Sequence, residues 1–142
     1  MPPTVDRRGG AVDDEECTVL GSSRLIAFAA TVDLARARSF YEQVLGPAVT
    51  ESDDHSCVFD VGGTMLRVTA VREVAPAEYT VLGWQVDDIT AAIRDLVSSG
   101  VVFTRCDGMG QDDDGVWTAP GGDKVAWFVD PDGNTLSLTE FS

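Results

Sequence analysis

The sequence predicts an α+β fold in which two βαβββ modules form a curved mixed sheet around a shared cavity. Two observations support this prediction. First, the order strand, helix, strand, strand, strand occurs twice along the 142 residues, and each copy is too short to close a hydrophobic core alone. Second, residues of the first copy recur in the second at a spacing of 55 (88 − 33), Asp33 as Asp88 and Ala37 as Ala92.

A second spacing, of 70 residues (130 − 60), relates the ends of the two copies. The matched residues are Asp60, Gly63 and Leu66 in the first copy and Asp130, Gly133 and Leu136 in the second. The larger spacing places an insertion in the second module, at residues 106–124. A loop of that length inside a compact domain is typical of a lid or a binding loop.

In the first module, the apolar run 24–31 has the length of a strand and is followed by Asp33, a good helix N-cap. Apolar residues then recur at three- and four-residue steps until a Gly-Pro pair at 46–47, which predicts an amphipathic helix of about three turns. Short β-rich runs follow at 48–51, 57–61 and 65–71.

The second module repeats this order. Residues 79–86 are predicted to form a strand, Asp88 caps a helix, and Gly100 ends it. Three further strands are predicted, at 101–105, 125–129 and 136–141.

Residues 1–22 mix Pro, Gly, Asp, Glu and Arg with almost no apolar periodicity, which predicts a flexible acidic leader. Residues 23–142 then form a single domain with modules at about 23–72 and 78–142. Cys17, Cys57 and Cys106 lack disulfide or metal-ligand spacing. We expect reduced thiols, two of them buried in strands and one in the leader.

The charge balance excludes several classes of partner. The chain has 24 Asp and Glu against 10 Lys and Arg, a net charge of −14, which repels nucleic-acid phosphates and anionic membranes. No apolar run reaches the roughly 20 residues of a membrane span, and the N-terminus lacks the apolar core of a signal peptide. We therefore expect a cytoplasmic protein that binds neither nucleic acid nor membrane.

Two motifs carry a resemblance to a known family: VDLARARSFYEQVLG at residues 32–46 and VAWFVDPDGNTLSLTEF at residues 125–141. With the 55-residue repeat, they resemble the glyoxalase / bleomycin-resistance / extradiol-dioxygenase superfamily, whose fold is also called the vicinal oxygen chelate fold. The resemblance covers about residues 24–142. It implies a ligand cavity between the modules.

The resemblance also implies where a metal would bind, because metalloenzymes of this superfamily use His, Glu or Gln on the first and last strands of each module. Carried onto this chain, those positions are Ile26, Arg67, Val81 and Ser137. Aliphatic side chains donate nothing to a divalent cation, and a guanidinium adds positive charge beside it. We therefore expect no metal and no cofactor, which argues against glyoxalase and ring-cleaving dioxygenase chemistry.

Without metal ligands, the predicted cavity is an apolar pocket with a few polar groups, as small-molecule sites usually are. Strand alternation points seven candidate binding residues into it, together with Thr69 and Gly83, and turns Trp84 toward the helices. The seven are Ile26, Phe28, Met65, Arg67, Val81, Ser137 and Thr139. A plain core role stays open for Ile26, Met65 and Val81.

Arg67 is the one charge predicted inside the cavity, and a buried guanidinium needs a partner. Two kinds of partner stay open: an internal carboxylate, for example Glu140 or Asp60, and an anionic group on a ligand.

The insertion adds Met109 and Trp117 to the candidate binding residues. Gly108 and Gly110 permit hinge motion, so that Trp117 would close over a flat ligand. The alternative is that Trp117 begins a strand and packs on the core, with the Asp run 112–114 in a solvated turn.

These observations predict a metal-free small-molecule binding protein of sequestration or resistance type. One alternative is a metal-dependent lyase, isomerase or dioxygenase of the same fold, with ligands that the carried-over positions miss. Another is an accessory protein with a vestigial cavity. Members of the superfamily commonly dimerise and exposed strand edges favour pairing, so we expect a homodimer, module-swapped or not.

Overall fold

Residues 19–142 are described in the computed structural model, so most of the predicted leader, with Cys17, lies outside the described residues. The first module contains β1 (Ile26–Thr31), α1 (Leu34–Ser39), a π-helical segment (Phe40–Leu45), β2 (Ala48–Ser52), β3 (Ser56–Val61) and β4 (Thr64–Ala70). The second contains β5 (Thr80–Gln85), α2 (Ile89–Ser98), β6 (Trp117–Thr118), β7 (Lys124–Val129) and β8 (Thr135–Glu140). The predicted α+β fold of two modules is confirmed.

Each module forms a four-stranded mixed sheet, in the strand orders β1-β4-β3-β2 and β5-β8-β7-β6. In each sheet the first strand lies parallel to the last strand of its module. Phe28 lies beside Arg67 in the first sheet, and Gly83 lies beside Ser137 in the second. The spacings of 55 and 70 therefore relate equivalent positions of β1 with β5 and of β4 with β8.

The third strands of the two modules, β3 and β7, are related by a spacing one residue shorter than the 70 that relates β4 with β8. Phe59 pairs with Leu66 and Phe128 pairs with Leu136, so β3 and β7 are related by a spacing of 69 (128 − 59). The sequence match of Asp60 with Asp130 is therefore not a structural equivalence. Asp60 pairs inside the first hairpin, whereas Asp130 lies in the turn at 130–134.

Both helices begin as predicted. The carboxylate of Asp33 accepts a hydrogen bond from the Arg36 N–H at 3.1 Å, and that of Asp88 accepts one from the Ala91 N–H at 3.1 Å. These side chains satisfy N–H groups that have no partner in the first turn.

The first helix is not one uninterrupted α-helix, which corrects the prediction for this segment. After Ser39 it continues as the π-helical segment, where the Gly46 N–H donates to the Tyr41 carbonyl, five residues back, at 3.0 Å. Gly46 then ends it with a φ of 106°, a left-handed conformation that favours glycine.

The predicted strand at 101–105 is also wrong. Only Phe103 pairs there, in an isolated bridge to Phe128. The Val101 N–H donates back to the Leu96 carbonyl of α2, so this end of the segment closes the helix. The free edge of β7 is instead partly covered by the two-residue strand β6.

The hydrophobic core lies between the sheets and the helices. Its large side chains with almost no exposure include Tyr41, Phe59, Ile89, Ile93, Phe128 and Leu136. Trp84 packs against this core, as the alternation predicted. Within residues 19–142, no helix is both long enough and apolar enough to cross a bilayer.

The turn at 130–134 joins the second module to the first. The buried Asp130 carboxylate accepts hydrogen bonds from the Tyr41 hydroxyl at 2.7 Å and from the Asn134 side-chain amide at 2.8 Å. Its other oxygen accepts from the N–H groups of Asp132 and Asn134, both at 2.9 Å. The Asn134 amide also donates to the Ala30 carbonyl of β1 at 2.9 Å. Asp130 thus stabilises its own turn and in addition connects the modules.

Asp132 forms the second contact between the modules. One carboxylate oxygen accepts from the Val32 N–H and from the Arg36 guanidinium, both at 3.0 Å. The side chain is only 2% exposed, and its other oxygen has no hydrogen-bond partner among the described residues. This ion pair places a positive charge at the junction, next to two buried carboxylates.

Burial, and next the neighbouring Asp130 carboxylate, raise the pKa of the Tyr41 phenol well above its usual value. The hydroxyl therefore stays protonated and remains a hydrogen-bond donor to Asp130.

We predict that Tyr41→Phe lowers the free energy of unfolding by about 1–3 kcal/mol, because the buried Asp130 carboxylate loses a donor. Urea denaturation at pH 7 measures it. Tyr79→Phe is the matched control, since Tyr79 is 74% exposed, and should change stability by less than about 0.5 kcal/mol.

The wild type and Tyr41→Phe should also differ in how their stability depends on pH. The unfolded chain releases the Tyr41 proton near pH 10, whereas the folded chain retains it, so this group stabilises the fold below about pH 10 and loses its contribution as the pH rises further. The stability advantage of the wild type over Tyr41→Phe should therefore shrink above pH 10. An advantage that stays constant to pH 11 would contradict the assignment.

Candidate functional site

The candidate site lies on the face of each sheet that points away from the helices, here called the open face. On the first sheet, the open face carries Ile26 and Phe28 of β1 and Met65 and Arg67 of β4. Their neighbours along these strands, including Ala29 and Val68, pack into the core. Strand alternation thus places these four side chains on one face of the sheet; their predicted place inside a cavity stays a prediction.

The apolar side chains on this open face are accessible within the single chain. Ile26 is 43% exposed, Phe28 56% and Met65 41%. Ile26 and Met65 line a cavity of about 440 Å³ together with Thr50, Val58 and Asp60. This volume falls in the range of small-molecule sites.

Arg67 is exposed in this chain, which corrects the expectation of a buried guanidinium. Its Nε donates to the hydroxyl of buried Ser56 at 3.5 Å. Neither proposed internal partner pairs with it. Glu140 accepts from the Ile89 N–H at 2.9 Å at the start of α2, and Asp60 forms no ion pair with Arg67. Among residues 19–142, Arg67 therefore has no carboxylate in ion-pair contact.

Asp53 is an acidic residue near Arg67, in the turn that precedes β3. The backbone N–H groups of His55 and Ser56 donate to its carboxylate at 2.7 and 2.9 Å. These bonds, and to the smallest degree the Arg67 charge, lower the pKa of Asp53. The Asp53 carboxylate is thus used in the turn, which leaves the Arg67 guanidinium available to another anion.

The open face of the second sheet is dominated by Trp127. Its indole Nε1 donates to the Thr80 hydroxyl at 3.2 Å, and its ring lies 6.2 Å from that of Trp117, inclined by 36°. Sequence reasoning missed Trp127, although Ala126 and Phe128 on either side are core residues in an alternating strand. That alternation was the signal that could have found it.

A second cavity, of about 370 Å³, opens on this face and is lined by Trp127, Thr80, Tyr79, Met109 and Cys106, among others. Ser137 lies beside Trp127 in the sheet and is buried, and Thr139 is half-buried. Cys106 is exposed in the loop and Cys57 is buried in β3. The expectation of two cysteines buried in strands is therefore wrong for Cys106.

Val81 does not occupy the position that the repeat predicted for it. The pairing of β5 with β8 is interrupted between Thr80 and Leu82, so Val81 lies at a bulge. It lines a third opening, of about 680 Å³, where Leu25, Ala27 and Gly83 are also found. The nine candidate residues are thus distributed over the two open faces and this opening between the modules.

The insertion is held in a defined loop by its own side chains. Gln111 accepts from the Cys106 N–H at 2.8 Å and donates to the carbonyls of Thr104 and Gly115 at 3.1 and 2.9 Å. The Arg105 guanidinium donates to two carbonyls of the Asp run. Trp117 begins β6 and pairs with Val125. Trp117 thus begins a strand, as the alternative expected, but its ring lies beside Trp127 and is not part of the hydrophobic core. Met109 projects from this loop into the second cavity.

Of the four positions carried over for a metal, Ile26, Arg67 and Ser137 keep their expected places in the sheets, whereas the pairing puts Thr80 rather than Val81 at the fourth. None of these side chains fits a divalent cation as a ligand. In the described part of the chain, no three His, Cys, Asp or Glu side chains lie close enough together to hold an ion. The open faces offer apolar contact, aromatic stacking, threonine hydroxyls and the Arg67 guanidinium, and the first cavity adds the side chains of Asp60 and Arg24.

A family model described as the Glyoxalase/Bleomycin resistance protein/Dioxygenase superfamily matches residues 25–138. No curated protein sequence matches the chain.

Solved structures share the fold. A glyoxalase / bleomycin resistance protein from Catenulispora acidiphila has a TM-score of 0.64 at 22% identity, covering 85% of this chain and 100% of that one. A lactoylglutathione lyase from Agrobacterium tumefaciens has 0.66 at 17%, covering 84% and 93%. A genomically encoded fosfomycin resistance protein from Listeria monocytogenes has 0.68 at 13%, covering 85% and 94%. At these identities the similarity shows the fold alone.

We predict that Gly83→Ala destabilises the protein by about 1–3 kcal/mol, because the added Cβ would lie 2.9 Å from the Ser137 hydroxyl oxygen. The double variant with Ser137→Ala should recover most of the loss. Gly121→Ala is the control, since a Cβ there meets nothing within 4 Å. Thermal unfolding of the four proteins measures this. Equal losses for Gly83→Ala with and without Ser137→Ala would show that the hydroxyl does not fill this space.

Proposed function

The chain belongs to the Glyoxalase/Bleomycin resistance protein/Dioxygenase superfamily, and on this premise we propose that it binds a small organic molecule on its open sheet faces without a metal ion. The proposal rests on the chemistry of the positions that the resemblance assigns to metal ligands: Ile26, Arg67 and Ser137 donate poorly to a divalent cation, and so does Thr80, which is paired where Val81 was expected. The function is sequestration of a ligand rather than metal-dependent turnover of a substrate.

The first open face indicates the chemistry of the ligand. Ile26, Phe28 and Met65 offer an apolar surface, and Arg67 stands on the same face with no ion-pair partner among the described residues. A guanidinium binds carboxylate, sulfonate or phosphate groups through paired hydrogen bonds. The proposed ligand is therefore an apolar molecule with one anionic group.

The second open face supports a flat ligand. The rings of Trp117 and Trp127 form an aromatic surface over this sheet, and Met109 approaches from the loop. Indole rings contribute large contact areas at low entropic cost. A planar or aromatic body fits this half of the site.

We also propose a homodimer in which a second copy covers the open faces. Exposed apolar side chains on one sheet face favour an interaction surface, and Phe28 and Ile26 are both near half exposure in the single chain. Each ligand would then be enclosed between two sheets. A sedimentation mass near 15.1 kDa, the mass of one chain, would refute the dimer. The cytoplasmic location stays a proposal, supported by the free thiols of Cys57 and Cys106.

The role of Arg67 is tested with two dyes that share an aromatic body. Anilinonaphthalene sulfonate carries an anionic group, whereas phenylnaphthylamine is its uncharged analogue. Arg67→Met should weaken binding of the sulfonate dye about tenfold, since a charge-assisted contact of roughly 1.4 kcal/mol is lost, and leave the uncharged dye unchanged.

Arg72→Met is the matched control, because Arg72 is exposed just beyond β4. It should bind both dyes as the wild type does. Fluorescence titration gives the dissociation constants. If Arg67→Met binds the sulfonate dye with wild-type affinity, Arg67 is not part of the ligand site.

A further inference from the structure

A separate crevice lies on the helix side of the sheets, between the two modules. It has a volume of about 340 Å³. Its walls are Val44 and Leu45 of the π-helical segment and Ala92 and Leu96 of α2, and core residues including Phe128 form its base. Phe128 and Leu138 belong to the core between sheets and helices, and Trp84 packs against it. The crevice that they line is therefore on the side of the sheets opposite to the open faces.

The wall contributed by the first module has an unusual backbone. π-helical turns are rare and are found frequently at functional sites. Here the turn brings Val44 and Leu45, both half-buried, to the crevice. These side chains therefore line the crevice next to the second module and are not fully buried within the first module.

The rim of the crevice is polar. Gln85, Asp95 and Ser99 line it, and within the described part of the chain none of these three side chains makes a hydrogen bond or an ion pair. Of the described residues that line the crevice, Asp95 alone is charged. An apolar cleft with a few unoccupied polar groups is the usual form of a small-molecule site.

We propose that this crevice is a second binding site, for a small apolar molecule that carries a protonated amine. The apolar part is placed between Val44, Leu96 and Phe128, and the ammonium group at the rim donates to the Asp95 carboxylate. The net charge of −14 adds a long-range attraction for cations. An anionic molecule of the same shape is repelled by the same groups.

The probe is 2-phenylethylamine, and phenylacetate is its anionic counterpart. The readout is the indole N–H signal of Trp84 in the NMR spectrum of the full chain, because Trp84 lines the crevice. Trp84 also lines the opening of about 680 Å³, and a substitution at Ala92, which lines the crevice and not that opening, distinguishes the two. Trp117 and Trp127 lie on the second open face and serve as internal references. The amine should shift the Trp84 signal saturably and bind at least about fivefold more tightly than the acid, which corresponds to a surface charge pair near 1 kcal/mol.

Two variants with matched controls locate the site. Ala92→Leu fills the crevice and should abolish the Trp84 shift, whereas Ala91→Leu, at an exposed position of the same helix, should not. Asp95→Asn should weaken the amine about fivefold, whereas Asp87→Asn, which removes an exposed carboxylate outside the lining, should leave its affinity unchanged.

The proposal is overturned if the amine and the acid bind equally, if the amine shifts only Trp117 and Trp127, or if Asp95→Asn binds it as the wild type does. Asp95 is exposed, so Asp95→Asn is expected to fold even if Ala92→Leu does not. These outcomes do not depend on Arg67 or on the open faces, so they are independent of the proposed function.

Discussion

The buried carboxylate of Asp130 is the constraint on which the arrangement of the two modules depends. A carboxylate removed from water is costly unless its oxygens accept hydrogen bonds. Asp130 meets this requirement with four donors, of which the Tyr41 hydroxyl belongs to the other module. The second module can satisfy this charge completely only when it is docked on the first.

Much of the turn at 130–134 follows from that requirement. Gly133 adopts a φ of 86°, a conformation that favours glycine and closes the turn around the carboxylate. Asn134 supplies both a backbone and a side-chain donor and also reaches the first strand. The open face of the first sheet stays exposed at Ile26, Phe28 and Met65, and the proposed ligand and second copy would bind there.

Local chemistry explains which parts of the fold could be predicted. The helix starts at Asp33 and Asp88 are set by side chains that cap their own first turn, and the strand positions around Phe28 and Arg67 follow from alternation and the internal repeat. Such signals are contained in a few neighbouring residues. The same alternation places Ile26, Met65 and Arg67 on one face of the first sheet; that this face lines a ligand cavity stays a prediction.

The parts that could not be predicted depend on contacts distant in sequence. Tyr41 is placed against Asp130, 89 residues away, next to the backbone that widens into a π-helical turn. The bulge at Val81 and the bridge at Phe103 likewise depend on pairing with strands more than 20 residues further on. The exposure of Arg67 depends on whether a ligand or a second copy covers the open face. The residues around Arg67 in the sequence do not determine this.

The central claim is that this chain retains the two-module fold of its superfamily but binds an organic ligand where its metalloenzyme relatives hold a metal. Metal analysis tests it most directly: the purified, untagged protein is dialysed against Zn²⁺, Ni²⁺, Mn²⁺ or Fe²⁺, and the metal that remains bound after desalting is measured. Because the side chains at the carried-over positions are poor metal ligands, we expect less than about 0.1 equivalent of bound metal per chain for every ion. Retention of about one equivalent of any of them, at a site that buffer washing does not empty, would contradict the account.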